Sequence, residues 1–515
     1  MIKAVGPVLL PLRRRAGTMT GEPPIITPTG QMKQRQSMRQ KWKLTMLPRF
    51  VVGAPKGRSG KTTISIAIGR ALSRRGFSVQ PFKKGPDYID PSWLTLACGR
   101  SCSNLDTFIM PEEALPASFG RRAADADLAL IEGAMGLFDS PEADGLGSVA
   151  WLARLLRAPV ILVVNAERMT RSIAALVSGY QHFEPETNIA AVILNNVSGV
   201  RHRDKLVNAV ESHCGIPVVG AVPSNPELTI TERHLGLTPS AEKEQAESVV
   251  ATICDIVEKH LDLDAILTIA KGAPELSIPV RDRAPKPVRI ARVGVMRDRV
   301  FSFYYPENLE ALSDAGVEVV PLDVLAARTL PDLDGLYIGG GFPELYASQL
   351  EANSRLRAGI AAAIEKGLPT YAECAGLMYL CRAIRWQGRR YEMVGVIPAE
   401  AELSTRPAGH GYVELAVTAE NCWFRRGRVL RGHEFHHSRI VPAEPIATAC
   451  EVKRGYAIDG RVDGIVYKNL FAAYTHLHAL GTPDWARAFG ALAADYGASR
   501  GKAKEHDDIN SQAGR

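Results

Sequence analysis

Residues Phe50 to Thr63, FVVGAPKGRSGKTT, put a short apolar strand, a glycine-rich turn and a helix start in immediate succession. Ile64, Ile66, Ala67, Ile68, Ala71 and Leu72 then supply the apolar positions of a helix, so the predicted unit is strand, turn, helix. The backbone N–H groups and dipole of such a helix start suit phosphate oxygens. Lys61 is placed to reach β- and γ-phosphates and Thr62 to ligate Mg²⁺. Pro55 stands where the ordinary motif has its first Gly, while the Gly60-Lys61-Thr62 end is intact.

Strand-length apolar runs recur at Leu128 to Ile131, Val160 to Val164, Ala191 to Leu194 and Ile216 to Val219, separated by helix-length segments. That alternation predicts a mainly parallel sheet covered by helices on both faces. A Pro-rich, charged stretch, APELSIPVRDRAPKPVR, interrupts it, and a second series follows. This has strands at Ile290 to Val295, Val317 to Pro321, Gly335 to Ile338 and Pro369 to Ala372, with helices around Asn308 to Ala315 and Ser354 to Lys366. The expected organisation is a disordered basic extension over 1–47, an ATP-binding amide synthetase domain over 48–272 and a linker over 273–288. A second α/β domain over 289–498 and a loose tail over 499–515 complete it. The fold class is therefore α/β: a P-loop NTPase-like parallel sheet domain followed by a glutaminase-like α/β domain.

A formal charge of +7 raises the question of nucleic acid. The excess sits mostly before residue 50, where Arg13, Arg14, Arg15, Lys33, Arg35, Arg39, Lys41 and Lys43 face Glu22, so no nucleic-acid footprint remains. Met46 begins a sequence that runs straight into the first strand, so a start at that residue is an open reading. The Val8 to Leu12 run is too short for a signal segment, and no run approaches about twenty apolar residues, so no membrane partner and a cytoplasmic location are expected. The eight cysteines show no paired metal spacing and are expected to be reduced.

A phosphate cradle alone also fits a partition-type regulatory ATPase, whose deviant motif has a lysine at the place of Lys56. Further motifs narrow the choice. Phe82 to Pro91, FKKGPDYIDP, packs lysines and carboxylates around a turn, and Leu128 to Ile131 leads into Glu132-Gly133-Ala134-Met135-Gly136-Leu137-Phe138-Asp139. The latter puts an acidic residue at a strand's C-terminal end, where α/β sheets bind ligands. Together with GKTT and ERHLGL (Glu232 to Leu237), these segments resemble the cobyrinate a,c-diamide synthase family, whose ATP domain is similar to that of dethiobiotin synthetase. The resemblance implies an ATP site of Lys56, Gly57, Gly60, Lys61, Thr62, Thr63 and Asn195, the last reading the adenine edge. It implies Mg²⁺ on Thr62 and Glu132, with Asp87 or Asp90 assisting. Lys83, Asp87, Tyr88, Asp90 and Asp139 are implied for substrate binding and phosphoryl transfer, with Tyr88, Asp90 and Asp139 near the carboxylate to be activated.

In the second half, the strand Pro369 to Ala372 runs into Glu373-Cys374-Ala375-Gly376, a strand-to-helix turn that exposes a thiol and lowers its pKa. Cys98, Cys214, Cys254, Cys381 and Cys450 have no such turn and are expected to be apolar packing. Tyr474-Thr475-His476-Leu477-His478 offers His476 as the base for Cys374. Gly339-Gly340-Gly341-Phe342-Pro343-Glu344 offers a flexible turn whose N–H groups, at Gly340 and Gly341, join that of Ala375 in holding an oxyanion. GGGFPE, AECAGL and YTHLH resemble the amidotransferase domain of the same family, related to class I glutaminases, and the resemblance spans about 48 to 497. Class I enzymes carry Glu two residues after the catalytic His; here that position is His478, so a Cys374–His476 dyad is expected. Phe303 to Leu309 and Gly432 to Ser438 also look like family signatures. His433 and His437 point opposite to His436 in a strand, which argues for an interface or structural role over a metal site.

The implied activity is ATP- and glutamine-dependent amidation of the a- and c-acetates of cobyrinate or hydrogenobyrinate through acyl phosphates, in cobalamin biosynthesis. A related tetrapyrrole, sirohaem or nickel-sirohydrochlorin, is the alternative, because Lys84 and Trp93 differ from the residues expected of cobyrinate enzymes. The expected partners are small molecules (tetrapyrrole, glutamine and ATP), and a homodimer is left open.

Overall fold

The computed structural model describes residues 41–228, 232–233, 236–237, 240, 245–280 and 287–513. The sequence before Lys41 and residues 281–286 of the expected linker lie outside them. From Lys41 onward the chain forms one compact unit.

The first half is built on a seven-stranded parallel sheet. Its spatial order is Ser103–Leu105, Val79–Lys84, Leu128–Glu132, Arg49–Gly53, Val160–Asn165, Ile189–Val197 and Val218–Pro223. Every neighbouring pair is parallel. Strand Arg49–Gly53 is buried throughout, because helices cover both faces of such a sheet. Its C-terminal end feeds helix Lys61–Arg74 through the glycine-rich turn. The FKKGPDYIDP segment begins inside strand Val79–Lys84 and ends in helix Ile89–Cys98, so its turn is shorter than the sequence suggests.

The second half holds a ten-stranded mixed sheet. Strands Val317–Leu322, Ala291–Met296, Gly335–Ile338, Thr370–Glu373 and Leu470–Ala473 are parallel neighbours. Beyond them the sheet turns antiparallel through Val462–Tyr467, Thr448–Arg454, Gly409–Val417, Val429–His436 and His476–Leu477. The apolar stretch Ile465 to Leu470 is a hairpin, with Lys468 at φ 51° in its turn.

Three boundaries differ from expectation. Lys41–Thr45, assigned from composition to the disordered extension, pairs antiparallel with Leu276–Val280, assigned to the linker. Neither segment is strand-forming alone, and each supplies the other's ladder. Arg49, fully buried, fastens this margin by donating to the carbonyls of Leu47 (2.8 Å), Leu156 (2.6 Å) and Pro274 (2.5 Å). The expected loose tail continues the last helix, Trp485–Ala513. Helix propensity of its Ala, Lys and Glu residues, seeded by the packed first turns, extends it.

Candidate active sites

In the first half the turn Pro55–Gly60 and the ends of three strands converge. Thr62 Oγ1 donates to Glu132 Oε1 at 2.6 Å and approaches Asp90 Oδ2 at 3.3 Å. Lys83 Nζ, on the neighbouring strand, lies 2.5 Å from Asp90, 2.9 Å from Glu132 and 3.8 Å from Asp87. Burial disfavours the Lys83 cation, but these three carboxylates outweigh it and raise its pKa well above the usual lysine range. Against the same burial, Lys83 and hydrogen bonds from Lys83 and Thr62 hold Asp90 below its ordinary value. Asp87, whose main perturbations are burial and the charge of Asp90, is pushed up to about 7. Lys61 is lowered to about 8, by burial first and by Lys83 second; its Nζ donates to the carbonyls of Met135 (2.6 Å) and Lys56 (3.4 Å).

Glu132 is fully buried, burial raises its pKa, and its Oε2 has no hydrogen-bond partner. A buried carboxylate oxygen left without a donor beside a threonine hydroxyl is what a divalent cation requires, so Thr62 and Glu132 fit Mg²⁺. Asp139 closes the Gly133-to-Asp139 turn by accepting the Gly136 N–H at 2.9 Å, next to the glycine-rich loop. Asn195 Nδ2 donates to the Ser59 carbonyl at 3.1 Å and lies against Gly60, where a Cβ would stand 2.1 Å from it. Lys56 is exposed, and Gly57 and Thr63 are partly exposed on the same loop and helix start. Lys84 is buried on the strand that also carries Lys83, whereas Trp93 belongs to the hydrophobic core, so the difference at Trp93 concerns packing.

In the second half Cys374 is the residue between strand Thr370–Glu373 and helix Ala375–Leu380, at φ 50° and ψ −101°. A non-glycine residue there stores roughly 1–3 kcal/mol of strain and turns its side chain out of the sheet. Cys374 lines a cavity of about 460 Å³ with Gly341, Glu344, Met378, His436 and Ser438. Its thiol does not show the lowered pKa expected of the turn. Burial and then the Glu344 charge raise it, outweighing the Ala375 N–H that donates to sulfur.

Strands Thr370–Glu373 and Leu470–Ala473 run in parallel, so the residues after each, Cys374 and the Tyr474-to-His476 segment, emerge together; Cys374 N–H donates to Ala473 O at 2.7 Å. His476 lies against Gly340, whose added Cβ would stand 2.5 Å from its Cε1. Its Nδ1 faces Glu373 Oε2 at 3.4 Å, and among the described residues no hydrogen bond joins it to Cys374. The Gly340–Gly341 turn is less flexible than its glycines imply. It is a short strand paired with Phe301–Phe303, and Gly341 must lack a side chain because a Cβ would meet Val300 O at 1.8 Å.

His478 does not orient His476. Its Nε2 faces Glu307 Oε2 at 3.5 Å, and its ring packs on Tyr305. The His-rich strand separates as its alternation requires: His433 stacks on His476, and His436 stacks on Tyr474. The described residues contain no cluster suited to a metal ion among His, Cys, Asp and Glu.

Sequence reasoning assigned no function to Glu373 or Glu307. The signal for Glu373 was present: a carboxylate ending a buried apolar strand must have partners. Tyr88 packs across to the second half. Its ring is in the second half, 5.3 Å from that of His476 and 5.2 Å from that of Phe303.

A nucleotide cradle and a cysteine elbow in one compact unit define a glutamine-dependent carbon–nitrogen ligase that uses ATP. Residues 50–237 match the CobQ/CobB/MinD/ParA nucleotide binding domain, and residues 292–483 match the CobB/CobQ-like glutamine amidotransferase domain. The cobyrinate a,c-diamide synthase of Magnetococcus marinus is 45% identical over 85% of this chain and 96% of its own. Those of Archaeoglobus fulgidus and Methanosarcina acetivorans are 42% and 38% identical, over 86% and 88% of this chain and 97% of theirs. The chain belongs to the cobyrinate a,c-diamide synthase family, ligases of cobalamin biosynthesis. A partition-type regulatory ATPase is not compatible with that membership. No helix among the described residues is long and apolar enough to cross a membrane.

Proposed function

We propose that this enzyme amidates the a- and c-acetate carboxylates of cobyrinate or hydrogenobyrinate, using glutamine as nitrogen donor and ATP as activator. The observation that carries this reading is end-to-end similarity to cobyrinate a,c-diamide synthases over 96–97% of their length. The γ-phosphoryl group of ATP passes to a carboxylate oxygen, ADP leaves, ammonia attacks the acyl carbon and phosphate departs from the amide. Positioning and charge neutralisation carry such a transfer. Lys61, held by carbonyl oxygens alone, is the cation for the phosphates. Thr62 and Glu132 would hold Mg²⁺, which would neutralise phosphate charge when bound. Lys83 offsets the charges of Asp90 and Glu132 and so lets them stand close together, and Asp87 and Asp139 border the acceptor carboxylate. Asn195 lies at the loop edge where the base would be read.

Ammonia comes from attack of Cys374 Sγ on the side-chain amide carbon of glutamine. His476 takes the thiol proton and returns it to the leaving nitrogen, and water then hydrolyses the thioester to glutamate. The Ala375, Gly340 and Gly341 N–H groups are the donors nearest the developing oxyanion. The direct test offers the purified protein cobyrinate, hydrogenobyrinate, nickel-sirohydrochlorin and sirohaem with ATP, Mg²⁺ and glutamine, and weighs the products. Two amide mass shifts on cobyrinate or hydrogenobyrinate are expected; a shift confined to another macrocycle would replace the substrate. Cys374→Ala should lose glutamate release yet still amidate from ammonium chloride.

A further inference from the structure

The turn that follows Lys83 serves both halves of the molecule. Asn104 Nδ2 pins its backbone by donating to the carbonyls of Gly85 and Asp87, each at 2.8 Å. Asp87 Oδ1 accepts the N–H groups of Ile89 (2.8 Å) and Asp90 (3.3 Å), which starts helix Ile89–Cys98 at Tyr88. Two residues on, Asp90 points back at Thr62 and Lys83, inside the phosphoryl-transfer cluster. Tyr88 points the other way. Its ring stacks on Phe303 (5.2 Å, 8° between planes) and lies 4.7 Å from Tyr305, 5.5 Å from His433 and 5.3 Å from His476. The hydroxyl is buried with that of Tyr305 as its polar neighbour, and the stacked ring makes the larger part of the contact.

The other end of this contact is the imidazole of His476. His476 is turned to Glu373 and is not hydrogen-bonded to Cys374, whose thiol burial keeps protonated. Proton transfer from the thiol requires the imidazole Nε2 to come within hydrogen-bond reach of Sγ. Asp90 lies in the first turn of helix Ile89–Cys98, so phosphate and cation charge bound at Thr62 would act on that turn. The Tyr88 ring, at the N-cap two residues before Asp90, is attached to the same turn.

We propose that Tyr88 is a positioning residue that transmits occupancy of the phosphoryl-transfer site to His476, so that glutamine is hydrolysed only when a carboxylate is being activated. This rests on the reading of Cys374 and His476 given above and adds the element that joins the two sites.

The test compares wild type, Tyr88→Phe, Tyr88→Leu and Tyr88→Ala in the full chain. Glutamate release is measured with and without ATP, Mg²⁺ and cobyrinate, together with the glutamate released per amide formed. Wild type should be stimulated about tenfold, a typical coupling between sites. Tyr88→Phe should match it, because the ring is kept. Tyr88→Ala and Tyr88→Leu should lose the stimulation, and surplus glutamate should appear for each amide made. Simple damage to packing would lower glutamate release in both states and leave their ratio intact. Should Tyr88→Ala fail to fold, as judged by thermal unfolding, Tyr88→Leu decides by the same ratio. Retained stimulation in a folded Tyr88→Leu, or its absence in wild type, overturns the proposal. Glutamate release that survives Cys374→Ala overturns the reading beneath it.

Discussion

Glu373 Oε2 stands 3.4 Å from His476 Nδ1, and neither side chain is more than 2% exposed. The other Glu373 oxygen accepts the Leu477 N–H and the Tyr371 hydroxyl, each at 3.1 Å, and Tyr337 adds a bond to Oε2 at 3.3 Å. A carboxylate so completely tied holds the imidazole in one orientation and one tautomer. The residue directly before the proposed nucleophile thus faces the imidazole of the proposed base, a position that His478 does not take.

Glu373→Gln should lower the glutaminase turnover by at least about tenfold, the scale of losing an orienting partner behind a reactive group. The KM for glutamine should hold, because Glu373 does not line the Cys374 cavity. Amidation from ammonium chloride should persist. Steady-state glutamate release beside ammonia-dependent synthesis checks this, and equal loss of both would mean that the substitution only damages the fold.

Cys374 sits under competing influences: burial and Glu344 raise its pKa, and the Ala375 N–H lowers it, with burial winning. Alkylation of the free enzyme by iodoacetamide, followed by mass spectrometry of the Cys374 peptide, should therefore accelerate about tenfold per pH unit through pH 9, as expected below a thiol pKa. A rate already flat at pH 7 would show a preformed thiolate and overturn that ranking of influences.

The parallel strands were legible because both of their faces are buried. Phe50 to Gly53, Leu128 to Ile131 and Gly335 to Ile338 are unbroken apolar runs, bounded by turns. The antiparallel region after Cys381 was not legible. Strand Ile397–Leu403 buries alternate residues, and its acidic positions look like loop sequence until its neighbours are known. Loop and nucleophile motifs marked Thr62, Glu132 and Cys374, because local turns fix where those residues point. Tyr88 carried no such signal. Its neighbours Phe303, His433 and His476 lie hundreds of residues away, and only the docking of two separately patterned halves brings them together. Glu307 was hidden in the same way.

Glu307 joins the halves electrostatically. It lies 3.3 Å from Arg122 of the first half and 3.5 Å from His478, and although burial opposes its charge, His478 and Arg122 pull its pKa down to about 2. A carboxyl group lowered from its ordinary 4.5 stabilises the fold above that pH, and the contribution is lost as pH falls toward 2. The difference is worth up to about 3 kcal/mol. In urea unfolding, wild type should lose that much more stability than Glu307→Gln between pH 5 and pH 2.5. The variant itself should be weaker at pH 7, because Arg122 keeps a buried charge with less compensation. Parallel pH profiles for the two proteins would place the acid sensitivity elsewhere.

Lys83 is ion-paired with three carboxylates, 2.5 Å from Asp90, 2.9 Å from Glu132 and 3.8 Å from Asp87, and only 4% of its side chain is exposed. Removing one member of a buried charge cluster costs about 3–5 kcal/mol, because the partners remain desolvated and unpaired. Lys83→Met should therefore destabilise the chain by that amount in urea unfolding. The loss has a particular cause, which a second substitution exposes: Glu132→Gln added to Lys83→Met removes one of the stranded charges. The double variant should recover a substantial part of the stability while remaining inactive in amidation, since Glu132 is also the proposed Mg²⁺ ligand. If the two losses simply add, the stranded charge of Glu132 is not the source of the loss. The charge balance around Thr62 would then be set by the remaining groups.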